Sequence, residues 1–327
     1  MFLRNLLIGL ICLPFFAQVR TTSTPDEIEA KAQDAAKLRA MIEAAPKLPL
    51  EQKDLVIRLP EGQELGMVSW MARDPKTGVM WLLQRGDKAD PVIAVDKQGR
   101  VLRSFGKGLY KIPHALRLDP QGNVWTVDAA SSTVIKFSPK GEKLLQIDVG
   151  GQPQESSSAF RGTTDIAFAP NGRISISDGY ANARILEYTA NGKKVREWGS
   201  AGTGPGQFHL PHSIVADENN ILYVADRENG RIEKFNLDGK FLGEFPNLGR
   251  TYSLKLGANG TLWAGMQPLH EPTGSPGWVV KLDRKTGKIL GYVPVTEKGG
   301  LHSVEDDGEG QPITNLGNKV VWFKSHE

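Results

Sequence analysis

From residue 66 onward the chain alternates apolar and polar positions in short runs, each run closed by a turn. Residues 213–245, "SIVADENNILYVADRENGRIEKFNLDGKFLGEF", show the unit. Period-two alternation predicts half-buried strands at Ser213–Asp217, Ile221–Asp226, Arg231–Asn236 and Lys240–Phe245. Turns such as "DPQG", "APNG" and "LDG" separate them, with glycine supplying the positive φ that a tight turn needs. The same unit recurs as "PHALRLDPQGNVWTVDAASSTVIKFSPKGEKLLQI" and "TTDIAFAPNGRISISDGYANARILEYTANGKKVREW". Weaker copies cover 67–105 and 251–293, and a shortened one, "LHSVEDDGEGQPITNLGNKVVWFK", comes last. Four antiparallel strands in a repeat of ~40 to 50 residues is the size of a propeller blade. Six copies predict an all-β fold, a six-bladed β-propeller whose closed ring leaves no exposed sheet edge.

The pattern is different before the repeats. "MFLRNLLIGLICLPFFAQVR" has one early arginine and an apolar run from Leu6 to Ala17, too short to span a bilayer comfortably, so residues 1–20 read as a cleaved secretory signal. An uncleaved anchor is the alternative. The single cysteine, Cys12, lies inside that run behind Ile11, where lipid attachment would want a small residue. Once processed, the chain would be free of cysteine and suited to a secreted or periplasmic location. Thr24–Ala45 predicts a helix: Thr24 can cap it, Pro25 suits its first turn, and Asp26 and Glu27 favour the positive end of its dipole. Ile28, Ala35, Leu38, Met41 and Ile42 give it a modest apolar stripe, enough to lie against the main domain. The expected division is therefore 1–20 signal, 21–60 helical lead-in and linker, and 61–327 propeller. Composition changes little: 24% charged, 39% hydrophobic, 36 glycines and 20 prolines over 327 residues describe an ordinary turn-rich globular chain. A net charge of +3, with no basic run carrying aromatics, argues against nucleic acid. No membrane association is expected after signal removal, and a monomer is expected.

One position of the repeat carries chemistry. Just ahead of each first strand the six copies hold Ser69, His114, Thr164, His212, Tyr252 and His302. Three of the chain's six histidines occupy this slot, in every second copy. Alternate blades of a six-bladed ring lie about 120° apart around the channel. Three imidazoles in that relation form the ligand set of a zinc ion with one coordination position open. Three packing histidines in a recurrent Pro-His turn are the competing reading. The loops joining strands two and three open at the same end and carry Arg85 ("QRGDK"), Tyr180 ("DGYANAR") and Arg227 ("DRENGR"). Taken singly, Arg227 could pair with Asp226 or Glu228 and Arg85 with Asp87, and Tyr180 could simply pack. Converging on one mouth, two arginines and a tyrosine would face the metal: arginine offers a fork for a carboxylate, and a neighbouring cation lowers a tyrosine pKa. A substrate with a carboxylate and a hydroxyl on neighbouring atoms would fit.

The copies resemble NHL repeats, most clearly in "GTGPGQFHLP" and "YVADRENGRI". More narrowly, "IPHALRLDPQGNVWTVD", "LLQRGDK", "TTDIAFAPNGRISISDGYANARILEY", "GQFHLPHSI" and "YVADRENGRIEKF" resemble the peptidyl-α-hydroxyglycine α-amidating lyases (peptidylamidoglycolate lyases). That resemblance implies a six-bladed propeller with zinc on His114, His212 and His302. It implies catalytic roles for Tyr180, Arg85 and Arg227, and cleavage of a peptidyl- or acyl-α-hydroxyglycine to an amide and glyoxylate. The sequence departs from the family where disulfides are expected: Arg161 and Ala181 stand at one pair of positions, Tyr223 and Lys234 at another. The family's structural calcium goes with an acidic residue beside the third histidine. Here that residue is Ser303, leaving Glu305 or Asp306 as the substitutes. Two other functions compete: a gluconolactonase-type enzyme, against which the three matched histidines speak, and a non-catalytic secreted propeller that binds a ligand or protein.

Overall fold

The computed structural model describes residues 25–151 and 159–325. The expected signal segment and the Thr24 cap lie outside them. Six antiparallel four-stranded sheets form the six blades of a β-propeller. Blade one runs Val68–Arg73, Met80–Gln84, Val92–Val95 and Val101–Phe105; blade four runs Pro211–Ala216, Ile221–Asp226, Arg231–Asn236 and Phe241–Phe245. Blade six is built differently. Gly300–Asp306, Pro312–Leu316 and Lys319–Ser325 are joined on the outside by Leu50–Leu55, antiparallel to Lys319–Ser325. Residues 50–55, read from sequence as linker, thus belong to the propeller. The last repeat looks short because its fourth strand comes from the other end of the chain, and this pairing closes the ring.

Burial follows position in the blade. The second strand of blade one, Met80–Gln84, is buried at every residue, whereas the fourth strand, Val101–Phe105, is half exposed. Inner strands are covered on both faces by neighbouring blades, so they keep continuous apolar runs; outer strands face water and alternate. Trp70, Trp125, Trp263, Phe137, Phe208, Phe235 and Phe323 fill the spaces between sheets. Tyr223 and Lys234, at one expected bridge, are direct cross-strand partners. The one helix among the described residues, α1 (Pro25–Glu43), lies against blade five: Leu38 and Ile42 are buried with Leu248, Met266 and Trp278. Arg39 lies 5.2 Å over the Trp278 ring and 3.5 Å from Glu271.

The channel end of each blade carries a feature that the sequence pattern does not announce. The pairing of strands one and two slips at a β-bulge in every blade, and the slips fall at Val68/Trp70, Pro113/Ala115, Thr163/Asp165, Pro211/Ser213, Thr251/Ser253 and Gly300/Val304. The residues within them include Ser69, His114, Thr164, His212, Tyr252 and His302. These six residues therefore stand inside the first strand, at its irregularity, and not ahead of it. A bulge removes a residue from the ladder and re-aims its side chain.

The "GTGPGQF" lead into blade four is tied down by Arg231, which donates to the carbonyls of Thr203 (2.8 Å), Gly204 (3.0 Å) and Gln207 (2.7 Å). Glu233 is buried beside it and accepts the Gly206 N–H at 3.0 Å. Burial raises the Glu233 pKa from its ordinary 4.5 to about 7, against the lowering effects of the Gly206 bond and Arg231. The folded state therefore holds this proton more tightly than the unfolded chain. The associated stability is complete below pH 4.5 and is lost as pH rises through about 7. Melting curves from pH 5 to 8 should show the wild type losing stability relative to Glu233→Gln; parallel curves would contradict this.

Candidate active site

His114, His212 and His302 converge at the channel mouth, with one potential ligand atom from each lying within 4.8 Å of the others. Each imidazole is aimed by the next blade. His114 Nδ1 donates to Thr164 O (2.5 Å), His212 Nδ1 to Tyr252 O (2.6 Å) and His302 Nδ1 to Ser69 O (2.7 Å). The non-histidine bulges thus supply the carbonyls that orient the histidine bulges. Binding Nδ1–H to a carbonyl sets the tautomer and leaves the Nε2 lone pair free to coordinate. All three rings are buried, and burial holds their pKa values down; nearby arginines add to this, and His302 is lowered to about 3. Neutral imidazoles at neutral pH, each with an outer hydrogen bond, fit a zinc-type ion. The backbone here includes Leu210 (φ 70°) and Leu301 (φ 70°), two residues and one residue ahead of a site histidine. A branched side chain in the left-handed region costs on the order of 1–3 kcal/mol, strain of the kind that collects at functional sites.

Tyr180, Arg85 and Arg227 reach the same mouth. Arg85 directly follows the second strand of blade one, Arg227 that of blade four, and Tyr180 lies two residues beyond the second strand of blade three. The Tyr180 hydroxyl is 2.8 Å from His114 Nε2 and 3.2 Å from His212 Nε2. With Nδ1 protonated in both rings, the phenol is the donor. Burial raises the Tyr180 pKa despite the opposing charges of Arg227 and Arg85, so the arginines alone do not make it acidic. Arg227 pairs with Glu228 at 2.8 Å, while Asp226 turns away to Arg231. Glu228 is shared with Arg250 at 2.9 Å. Arg85 does not take Asp87: its Nε donates to Pro113 O at 2.9 Å, and its buried Nη2 has no hydrogen-bond partner among the described residues. Phe160 closes this side, 4.8 Å from the Tyr180 ring and 5.4 Å from the Arg85 guanidinium. Two arginines share one glutamate and Arg85 adds a third cation, which leaves the mouth cationic and suited to an anion. Sequence reasoning missed the Glu228–Arg250 clamp, because Arg250 sits in a blade without a matching motif.

Deeper in the channel, carboxylates meet the chain's own cations and N–H groups. Asp165 takes a two-point bond from Arg117 (3.0 and 2.6 Å) and further bonds from Ser213 Oγ (2.8 Å) and Ile214 N–H (3.0 Å). Glu305 pairs with Lys255, and Ser303 Oγ accepts the Met71 N–H at 3.0 Å. Asp306, the other candidate for calcium, accepts the Gly308 N–H at 2.7 Å on Oδ1 and keeps a buried Oδ2 without a partner among the described residues.

Fold and site together define a six-bladed β-propeller with a three-histidine centre at one channel mouth. A family model described as "6-bladed beta-propeller" (DUF5128) matches residues 155–308. The chain resembles the peptidyl-α-hydroxyglycine α-amidating lyases. It is 36% identical over 162 residues to peptidyl-alpha-hydroxyglycine alpha-amidating lyase 1 of Drosophila melanogaster, covering 46% of this chain and 30% of that one. It is 34% identical over 206 residues to peptidyl-glycine alpha-amidating monooxygenase of Mus musculus, covering 54% of this chain and 21% of that one. The chain thus spans less than a third of the length of either relative. The solved structure of a streptogramin B lyase superposes with a TM-score of 0.59 at 17% identity, over 85% of this chain and 98% of that one, a likeness of fold.

Proposed function

We propose that this protein is a metal-dependent carbon–nitrogen lyase that converts a peptidyl- or acyl-α-hydroxyglycine to an amide and glyoxylate. The observation that carries the proposal is the Tyr180 hydroxyl bridging two of three converging Nε2 atoms at a mouth lined by arginines. The activity in the names of the similar lyases supports it. Zinc on His114, His212 and His302 would supply Lewis acidity toward an oxygen substituent. The chain's own residues do the rest. Arg85, with its unpartnered Nη2, and Arg227 hold the carboxylate of the hydroxyglycine, which fixes the neighbouring hydroxyl near Tyr180. Tyr180, whose burial opposes ionisation while the Arg227 and Arg85 charges favour it, takes the hydroxyl proton as its anion. The carbon–oxygen bond becomes a carbonyl, the carbon–nitrogen pair leaves with the amide nitrogen, and Tyr180 passes the proton to that nitrogen. Glu228 and Arg250 keep Arg227 in place, and Phe160 limits water on the Arg85 side.

The direct test is incubation of the zinc-loaded protein with a model acyl-α-hydroxyglycine while glyoxylate release is followed. Release that saturates with substrate and disappears after chelation is the expected result. A zinc-loaded chain releasing no glyoxylate above the uncatalysed rate would overturn the proposal.

A further inference from the structure

Tyr252 occupies the bulge of blade five, and only its backbone has a role so far, as the acceptor for His212. Its ring stands edge-on to His212 at 5.6 Å and 6.2 Å from His302, so it lies between these histidines much as Tyr180 lies between His114 and His212. The Arg227 guanidinium lies 5.1 Å over its face. The residue is 2% exposed, and its buried hydroxyl has no acceptor for its hydrogen among the described residues. Arg250 donates Nε and Nη2 to Glu228 (3.2 and 2.9 Å) and Nη1 to Glu271 O (2.6 Å), and its remaining N–H groups are close enough to interact with the phenolic oxygen. A guanidinium has no acceptor, so Arg250 could not take the phenolic hydrogen in any case.

Packing and the His212 contact would be served equally by phenylalanine. A buried hydroxyl hydrogen without an acceptor disfavours the free protein, so its presence calls for an acceptor that arrives with a ligand. Arg85 Nη2, in blade one, is a second unpartnered donor at the same mouth. Arg227, a cation of the same mouth, lies over the Tyr252 ring with its Nε paired to Glu228. Donors without acceptors, gathered in a cationic mouth, match a carboxylate, which has two oxygens and only accepts.

We propose that Tyr252 is a substrate-binding residue whose hydroxyl donates to the carboxylate attracted by Arg227, orienting it against the histidine centre. The assignment rests on the lyase reading above and adds to it a binding group outside the motifs that carry the resemblance. It is a ground-state contact, so removing it should weaken binding and leave the chemical step largely intact.

The test is Tyr252→Phe in the zinc-loaded protein, measured by calorimetric binding of glyoxylate and by steady-state kinetics on a model acyl-α-hydroxyglycine. Loss of one hydrogen bond to a charged acceptor should raise the glyoxylate Kd and the KM roughly tenfold, with kcat within about twofold. Zinc content should be unchanged, and the metal-free variant should melt at the same temperature or higher. Unchanged Kd and KM, a loss confined to kcat, or loss of zinc would each overturn the assignment while leaving the lyase reading in place. A wild-type protein that neither binds glyoxylate nor releases it would remove both.

Discussion

Replacing His212 by alanine should empty the histidine centre: zinc content should fall from about one ion per chain to near zero, and lyase activity with it. The ring is fully buried, and its two nitrogens have separate tasks, Nδ1 bonding Tyr252 O and Nε2 facing the centre. Two imidazoles remain after the substitution, short of the three protein ligands of an open zinc site. Alanine also leaves a small cavity and an unpaired carbonyl, at a cost of about 2–3 kcal/mol. A fold with this much buried apolar surface should tolerate that. The measurement is elemental analysis of purified variant and wild type, with a cooperative melt showing that the variant is folded. Equal zinc in both would leave the three histidines as packing residues and favour the non-catalytic propeller.

Tyr180→Phe should separate metal binding from turnover. The phenylalanine ring can keep the packing on Phe160, and removal of the oxygen touches none of the three Nδ1–carbonyl bonds that aim the histidines. Zinc should stay at wild-type stoichiometry. What is lost is the group placed to move a proton at 2.8 Å from His114 Nε2 and 3.2 Å from His212 Nε2, and kcat should fall by about 10²–10⁴. Full activity in this variant would remove Tyr180 as the base. Loss of zinc together with activity would give the phenol a structural role in place of a chemical one.

Much of this site is legible in one dimension because a propeller is repetitive. Once the repeat is recognised, equal positions in successive copies fall at equal heights around one channel, and His114, His212 and His302 line up without coordinates. Arg85, Tyr180 and Arg227 follow from the up-and-down course of the strands. Other features stay hidden because they depend on contacts between blades. The Glu228–Arg250 pair joins blade four to blade five, and the isolated sequence offers Arg227 two acidic neighbours with no means of choosing between them. The cation that meets Asp165 comes from Arg117 in the preceding blade. The origin of the outer strand of blade six is equally invisible, since four of the six residues 50–55 are polar or charged and the stretch reads as a lead-in.

Taken alone, then, the sequence determined the all-β class, the blade count and the identity of the residues at the channel mouth, because period-two alternation and turn residues are local properties repeated along the chain. Only the tertiary structure decided how those residues meet. The bulges that turn the six slot residues out of their ladders, the neighbouring carbonyls that set each imidazole tautomer, and the Tyr252 hydroxyl with no acceptor for its hydrogen all arise where one blade faces the next. Such contacts join residues tens of positions apart, and no local pattern encodes their geometry.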